Sequence, residues 1–235
     1  MLFYQLLERV QHMHEMNYIH RDIKPDNIMM GLGEHSNTVF MIDFGLTRLV
    51  IDPKTGKHIP FVGMKNLIGT CRYVSVNSHK GLELSRRDDL ITLGYVMINL
   101  IKGSLPWQGI TISKHSARYR KVGKFKQQYP NEKLCQGCPV QFLHYMDYVM
   151  GMGFEEAADF EMLKALITTA ATEASLDIFD NIFDWSVLLT DQKKISSCKK
   201  PKQELLENAA SRKKVSSGAL PASSQDSGSL AIIDK

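Results

Sequence analysis

The sequence predicts a mainly α-helical fold with one short β-hairpin, followed by a disordered basic tail. Three observations carry that expectation. Apolar residues recur three or four positions apart through most of the chain before residue 190. Two short apolar runs flank a polar Gly/Asn turn in IMMGLGEHSNTVFMIDFG. From about Gln192 the composition turns to Lys, Ser, Ala and Gln, with no aromatic residue after Trp185. The 235 residues are 43% hydrophobic and 23% charged, a globular balance that excludes wholesale disorder.

In chain order, Leu2, Phe3, Leu6, Leu7, Val10 and Met13 have the spacing of an amphipathic helix, although no capping residue starts it. Strands are expected at 28–30 and 39–42. Residues 46–80 lack periodicity and read as a long functional loop. DDLITLGYVMINLIKG at 88–103 is apolar nearly all round, which predicts a buried helix. Further helices are expected at 113–125, 139–150, 156–171 and 175–180. Residues 192–235 cannot bury enough apolar surface to offset a chain entropy of about 1–2 kcal/mol per residue, apart from a short helix expected at 202–212. The domain division is thus 1–190 for the globular part and 191–235 for the tail.

Charge narrows the partners. The chain has 29 Lys and Arg against 25 Asp and Glu, a net +4. Nine of those cations and five of those anions lie in 190–235, so 1–189 balances at twenty of each (29 − 9 and 25 − 5). The globular part carries no nucleic-acid footprint by net charge. No apolar run approaches the about 20 residues of a membrane span. The opening MLFYQLLERVQHMH places Glu8 and Arg9 where a secretion signal would stay apolar. Four scattered cysteines suit a reducing compartment, which fits the cytoplasm. A monomer, in the cytoplasm and also the nucleus, is the expectation. Cys135 and Cys138 have a metal-ligand spacing but lack a second Cys or His pair, so no zinc site is expected.

HRDIKPDN at 20–27 followed by DFG at 43–45 resembles the paired signature of protein kinases. Phosphoryl transfer needs a carboxylate at the attacking hydroxyl, a cation near the moving phosphate and oxygen ligands for magnesium. The resemblance implies Mg2+ and ATP as cofactors. It gives Asp22 the role of accepting the hydroxyl's hydrogen bond and Lys24 that of reaching the γ-phosphate. Asn27 and Asp43 become the magnesium ligands. His20, Arg21, Phe44 and Gly45 complete the two motifs as structural residues. A lysine at position 24 implies serine/threonine rather than tyrosine specificity.

GTCRYVSVN (69–77), SRRDDLITLGY (85–95), SLPWQG (104–109), LCQGCP (134–139) and FDW (183–185) are similar to the casein kinase 1 family, nearest its alpha-type members. That family replaces the usual APE by an S-I-N segment, here Ser75, Val76 and Asn77. The resemblance implies a protein-kinase-like C-terminal lobe whose hairpin carries the DFG segment. Asp89 matches the aspartate that braces the HRD backbone. Arg72, Gln108, Gly109 and Arg118 match a substrate anion site, and the planar fork of arginine suits phosphate. Acidic or already phosphorylated proteins are therefore the expected substrates. Ile91 and Gln141 stand where the family has glutamate, and Cys71 and Val74 where it has alanine.

No G-x-G-x-x-G loop and no V-A-I-K strand occurs in the 235 residues. Only nineteen residues precede His20, so a chain representing the C-lobe of a longer kinase is expected. Such a chain alone would lack most ATP contacts. A non-catalytic binding module or an incomplete gene product are the alternatives.

Overall fold

Residues 1–63, 67–111, 114–180 and 182–188 are described by the computed structural model. The elements in order are α1 (Leu2–Glu15), β1 (Tyr18–Ile19), β2 (Ile28–Met30), β3 (Val39–Met41), β4 (Arg48–Leu49), α2 (Val76–His79), α3 (Arg86–Lys102), α4 (His115–Gln128), α5 (Asn131–Leu134), α6 (Val140–Gly151) and α7 (Phe160–Glu173). The apolar period of α1 places Phe3, Leu6, Leu7 and Val10 on its buried face. Phe3 stacks on Phe142 at 5.6 Å and meets the edge of Tyr145 at 5.2 Å, which fixes α1 against α6.

Helix α3 runs through the centre, buried from Asp88 to Ile98. It lies against α1 and α6, and α7 closes on both of these. Gly94 makes the α3–α6 approach possible, because an added Cβ would sit 2.4 Å from Met146 Sδ and 2.9 Å from Tyr145. Gly103, at φ 76°, ends the helix in the left-handed conformation that costs glycine least.

The hairpin pairs β2 with β3 antiparallel, Met29 opposite Phe40. The DFG segment follows it in a 3₁₀ turn at Phe44–Leu46 rather than in a strand. Part of the stretch expected to be an irregular loop is ordered by pairing. β1 and β4 form a second antiparallel sheet, with Tyr18 opposite Leu49, and Ile19, Val50 and Leu84 bury a small core beneath it. Strands of two residues are too short to show a period, which is why the sequence reading missed them.

Two helix expectations need correction. The expected 156–171 helix starts at Phe160, because Glu156 is used to accept the Gly153 N–H at 2.7 Å and Asp159 caps Met162 N at 2.9 Å. No helix forms at 175–180. Ser175 takes a left-handed φ of 56°, Leu176 N–H bonds back to Ala171 O at 2.9 Å, and Asp177 turns the chain by accepting from Phe179 N. The short α5 after Pro130 was not expected.

The chain divides into two units, Met1–Asn181 and Ile182–Lys235. In the second, residues 184–188 are helical and Phe183 stacks on Trp185 at 4.5 Å. The expected tail at 191–235, with its helix at 202–212, lies outside the described residues. Among those described, no helix is long and apolar enough to cross a membrane.

Candidate active site

The site is built on the turn between β1 and β2. Asp89, near the start of α3, accepts the backbone N–H of His20 at 2.6 Å and of Arg21 at 2.8 Å. The same carboxylate lies 3.3 Å from His14 Nε2 on α1. These bonds hold Arg21 at φ 70°, a backbone region that costs a side-chain-bearing residue energy. The His20 ring receives the Asp22 N–H on Nδ1 at 3.3 Å and reaches Ile42 O through Nε2 at 3.1 Å. That pattern assigns the proton to Nε2 and ties the turn to the end of β3. Phe44 packs beside the same ring at 5.6 Å.

Asp22, thus oriented, holds two donors. Lys24 Nζ donates to Oδ2 at 2.6 Å, and the Thr70 hydroxyl donates to Oδ1 at 2.7 Å. Burial works to raise the Asp22 pKa, but the bonds from Lys24 and Thr70 outweigh it and hold the carboxyl below the usual aspartate range. Lys24 moves the other way, raised by its bond to Asp22 against some desolvation, with Asp26 and Asp43 adding attraction. Buried Asn27 donates Nδ2 to Asp22 O at 2.9 Å, and its own carbonyl accepts from Ile42 N at 3.0 Å. Asp43 follows directly, at φ 65°, its Oδ1 accepting from Gly45 N at 3.3 Å. The structure therefore brings His20, Arg21, Asp22, Lys24, Asn27 and Asp89 into one bonded network, with Asp43 within electrostatic reach of Lys24.

The second cluster lies on the segment that carries Thr70. Arg72 is exposed and lies 5.7 Å from the Tyr73 ring centre, while its carbonyl accepts from Trp107 Nε1 at 2.7 Å. Next to Trp107, the Gln108 side chain accepts from Leu105 N. Gly109 is exposed and open. Arg118 is exposed on α4, and its charge reaches Cys71. No hydrogen bond among the described residues joins Arg72, Gln108 and Arg118 to one another.

Several residues of this neighbourhood escaped the sequence reading. Thr70 is one. Asp88 is another: it accepts from Ser75 Oγ at 2.6 Å, Asn77 Nδ2 at 2.9 Å and Ser85 N at 2.9 Å, and so ties the segment after Arg72 to the first turn of α3. Its signal was the Ser-x-x-Asp spacing at Ser85 and Asp88, which matches a helix cap. Lys126 is the third and had no signal, since it sits in a charged run. Cys135 is buried, its thiol pushed up to about 12 chiefly by desolvation, and no cluster of three or more metal-ligating side chains occurs among the described residues.

One turn thus presents a hydrogen-bonded aspartate, Asp22, with Asn27 five residues on, and the left-handed Asp43 follows the hairpin. Residues 1–169 match the sequence model of the protein kinase domain, and the chain belongs to that family.

Proposed function

We propose that the chain is the C-lobe of a casein kinase 1-type serine/threonine kinase, acting on acidic or already phosphorylated proteins. One observation carries this reading: Asp22 is held ionised and aimed by Lys24 and Thr70 at 2.6 and 2.7 Å. Asp22 accepts the hydrogen bond of the substrate hydroxyl and takes up its proton as the phosphoryl group moves. Lys24, two residues away on the same turn, offers its ammonium to the γ-phosphate. Arg72 and Arg118 provide exposed guanidinium groups for acidic or phosphorylated residues of the substrate.

The donor set suits magnesium with ATP. Asn27 spends its amide nitrogen on Asp22 O, so its amide oxygen is the donor available to a metal, and the Asp43 carboxylate is the second. Magnesium is held by one or two carboxylates together with substrate phosphates rather than by an all-protein cage, so two protein ligands fit. When bound, the ion neutralises phosphate charge and orients the phosphates.

Positioning supplies most of the catalysis in this chemistry, and the glycine-rich loop and strand lysine that position ATP are not among the 235 residues. Met29, Phe40, Ile42 and Phe44 are exposed apolar side chains on the hairpin and DFG turn, where such a lobe would rest. The chain alone therefore transfers phosphate at background rates. The second reading, a binding module that docks acidic substrates, draws on the exposure of Arg72, Gly109 and Arg118, none of which depends on that lobe. Calorimetry with a phosphoserine peptide tests the anion site. Weak, salt-sensitive binding that falls on Arg72→Ala is expected. Indifference to that substitution contradicts the site.

A further inference from the structure

Lys126 on α4 has 4% of its surface exposed. Among the described residues no carboxylate pairs with it. Its Nζ donates instead to two backbone carbonyls, Cys71 O at 3.0 Å and Val74 O at 2.7 Å. The ammonium also lies 5.0 Å from the Tyr95 ring centre and 4.9 Å from that of Trp107, close enough for cation–π attraction to both. Trp107 adds a third bond to the same stretch, from Nε1 to Arg72 O. Two side chains thus hold three carbonyls within four consecutive residues.

That stretch carries what the site needs. Thr70 bonds Asp22, and Arg72 is exposed with its guanidinium beside the Tyr73 ring. A lysine buried without a counter-ion is costly, and an apolar residue of similar size would serve packing as well. Its use here follows from where it points.

We propose that Lys126 is a positioning residue for the substrate-binding segment 69–75: caged by Tyr95 and Trp107, it clamps the Cys71 and Val74 carbonyls so that Thr70 meets Asp22 and Arg72 faces an anionic substrate. The clamp rests on the family's chemistry for Asp22, and on the reading under Proposed function for Arg72.

The clamp has a pH signature. Burial lowers the Lys126 pKa to about 7, with Cys71 opposing. The titratable groups facing it are the Cys71 thiol on the segment, Tyr95 on α3 and His79 on α2, with Arg118 on its own helix near Cys71. Burial raises Cys71 and Tyr95 above their ordinary values, and His79 is pushed down to about 4 by burial and by Lys126 itself. Lys126 is therefore the group in this cage that changes charge near neutrality. Opening of the segment hydrates the amine and returns it toward its ordinary value of 10.5. The open form then binds more protons above pH 7, so opening becomes harder as pH rises, by up to about tenfold per unit.

Hydrogen exchange on the full chain reads this directly at the Tyr73 and Val74 amides, both bonded to Thr70 O. After correction for intrinsic exchange and against α6 amides, wild-type protection is expected to be flat below about pH 7 and to climb above it. Lys126→Met should lower protection by roughly tenfold and make it independent of pH, as two hydrogen bonds are lost. Lys126→Arg, charged throughout, should retain protection without the climb. Unchanged protection in Lys126→Met, or a flat wild-type profile, overturns the proposal. Phosphoserine-peptide affinity should fall severalfold in Lys126→Met. If protection is lost but affinity is not, the substrate-positioning role is overturned, while the anion site itself stands or falls on Arg72→Ala.

Discussion

Asp89 holds Arg21 in a left-handed backbone conformation, φ 70°, by accepting its N–H at 2.8 Å across 68 residues of sequence. A second bond from His20 N, at 2.6 Å, makes one buried carboxylate responsible for the shape of the whole turn that carries Asp22.

Replacing Asp89 by Asn leaves one acceptor for two N–H groups, and replacing it by Ala leaves none. An unsatisfied buried donor costs about 1–3 kcal/mol. Asp89→Asn is expected to lower stability by roughly that amount and Asp89→Ala by more, as measured by urea denaturation. Equal stability of all three proteins would show that the turn holds its shape without the brace.

Gly69 sits at φ 89°, where an added Cβ would lie 2.5 Å from Arg21 O and 2.7 Å from Val74 Cγ1. Gly69→Ala therefore combines a left-handed penalty of about 1–2 kcal/mol with a backbone clash. At about 2–4 °C per kcal/mol for a chain of this size, a fall in melting temperature of at least about 4 °C is expected. An unchanged transition would mean that the segment tolerates a shift away from Arg21.

His79 is kept neutral, its pKa lowered to about 4 by burial and then by the charge of Lys126. The unfolded chain takes up that proton at the ordinary value of 6.5. Its contribution to stability is thus fully present above pH 6.5 and is lost as pH falls toward 4. Melting temperatures followed across that window should fall, and His79→Gln should flatten the fall. A slope unaltered by the substitution would place the acid sensitivity elsewhere.

What the sequence made legible follows from distance along the chain. His20, Asp22, Lys24 and Asn27 lie within eight residues, so the motif that resembles the kinase signature is visible in one short stretch. The all-round apolar stretch of α3 likewise announced its central place. Asp89 was placed only through family resemblance, since its partners lie 68 and 69 residues away. Lys126 looked like one more cation on a charged helix. Its burial is decided by carbonyls 52 and 55 residues distant and by the rings of Tyr95 and Trp107. The expected helix at 175–180 failed for a local reason, the left-handed turn at Ser175.

The central claim is that Asp22, Lys24, Asn27 and Asp43 form a phosphoryl-transfer site specific for serine and threonine. Its most direct test joins this chain to a glycine-loop lobe of casein kinase 1 type and measures transfer of labelled γ-phosphate to phospho-primed serine and tyrosine peptides. Labelling of the serine peptide alone, reduced about 10²–10⁴-fold by Asp22→Asn, is the predicted result. Transfer to tyrosine at a comparable rate, or serine labelling that survives Asp22→Asn, would contradict the account.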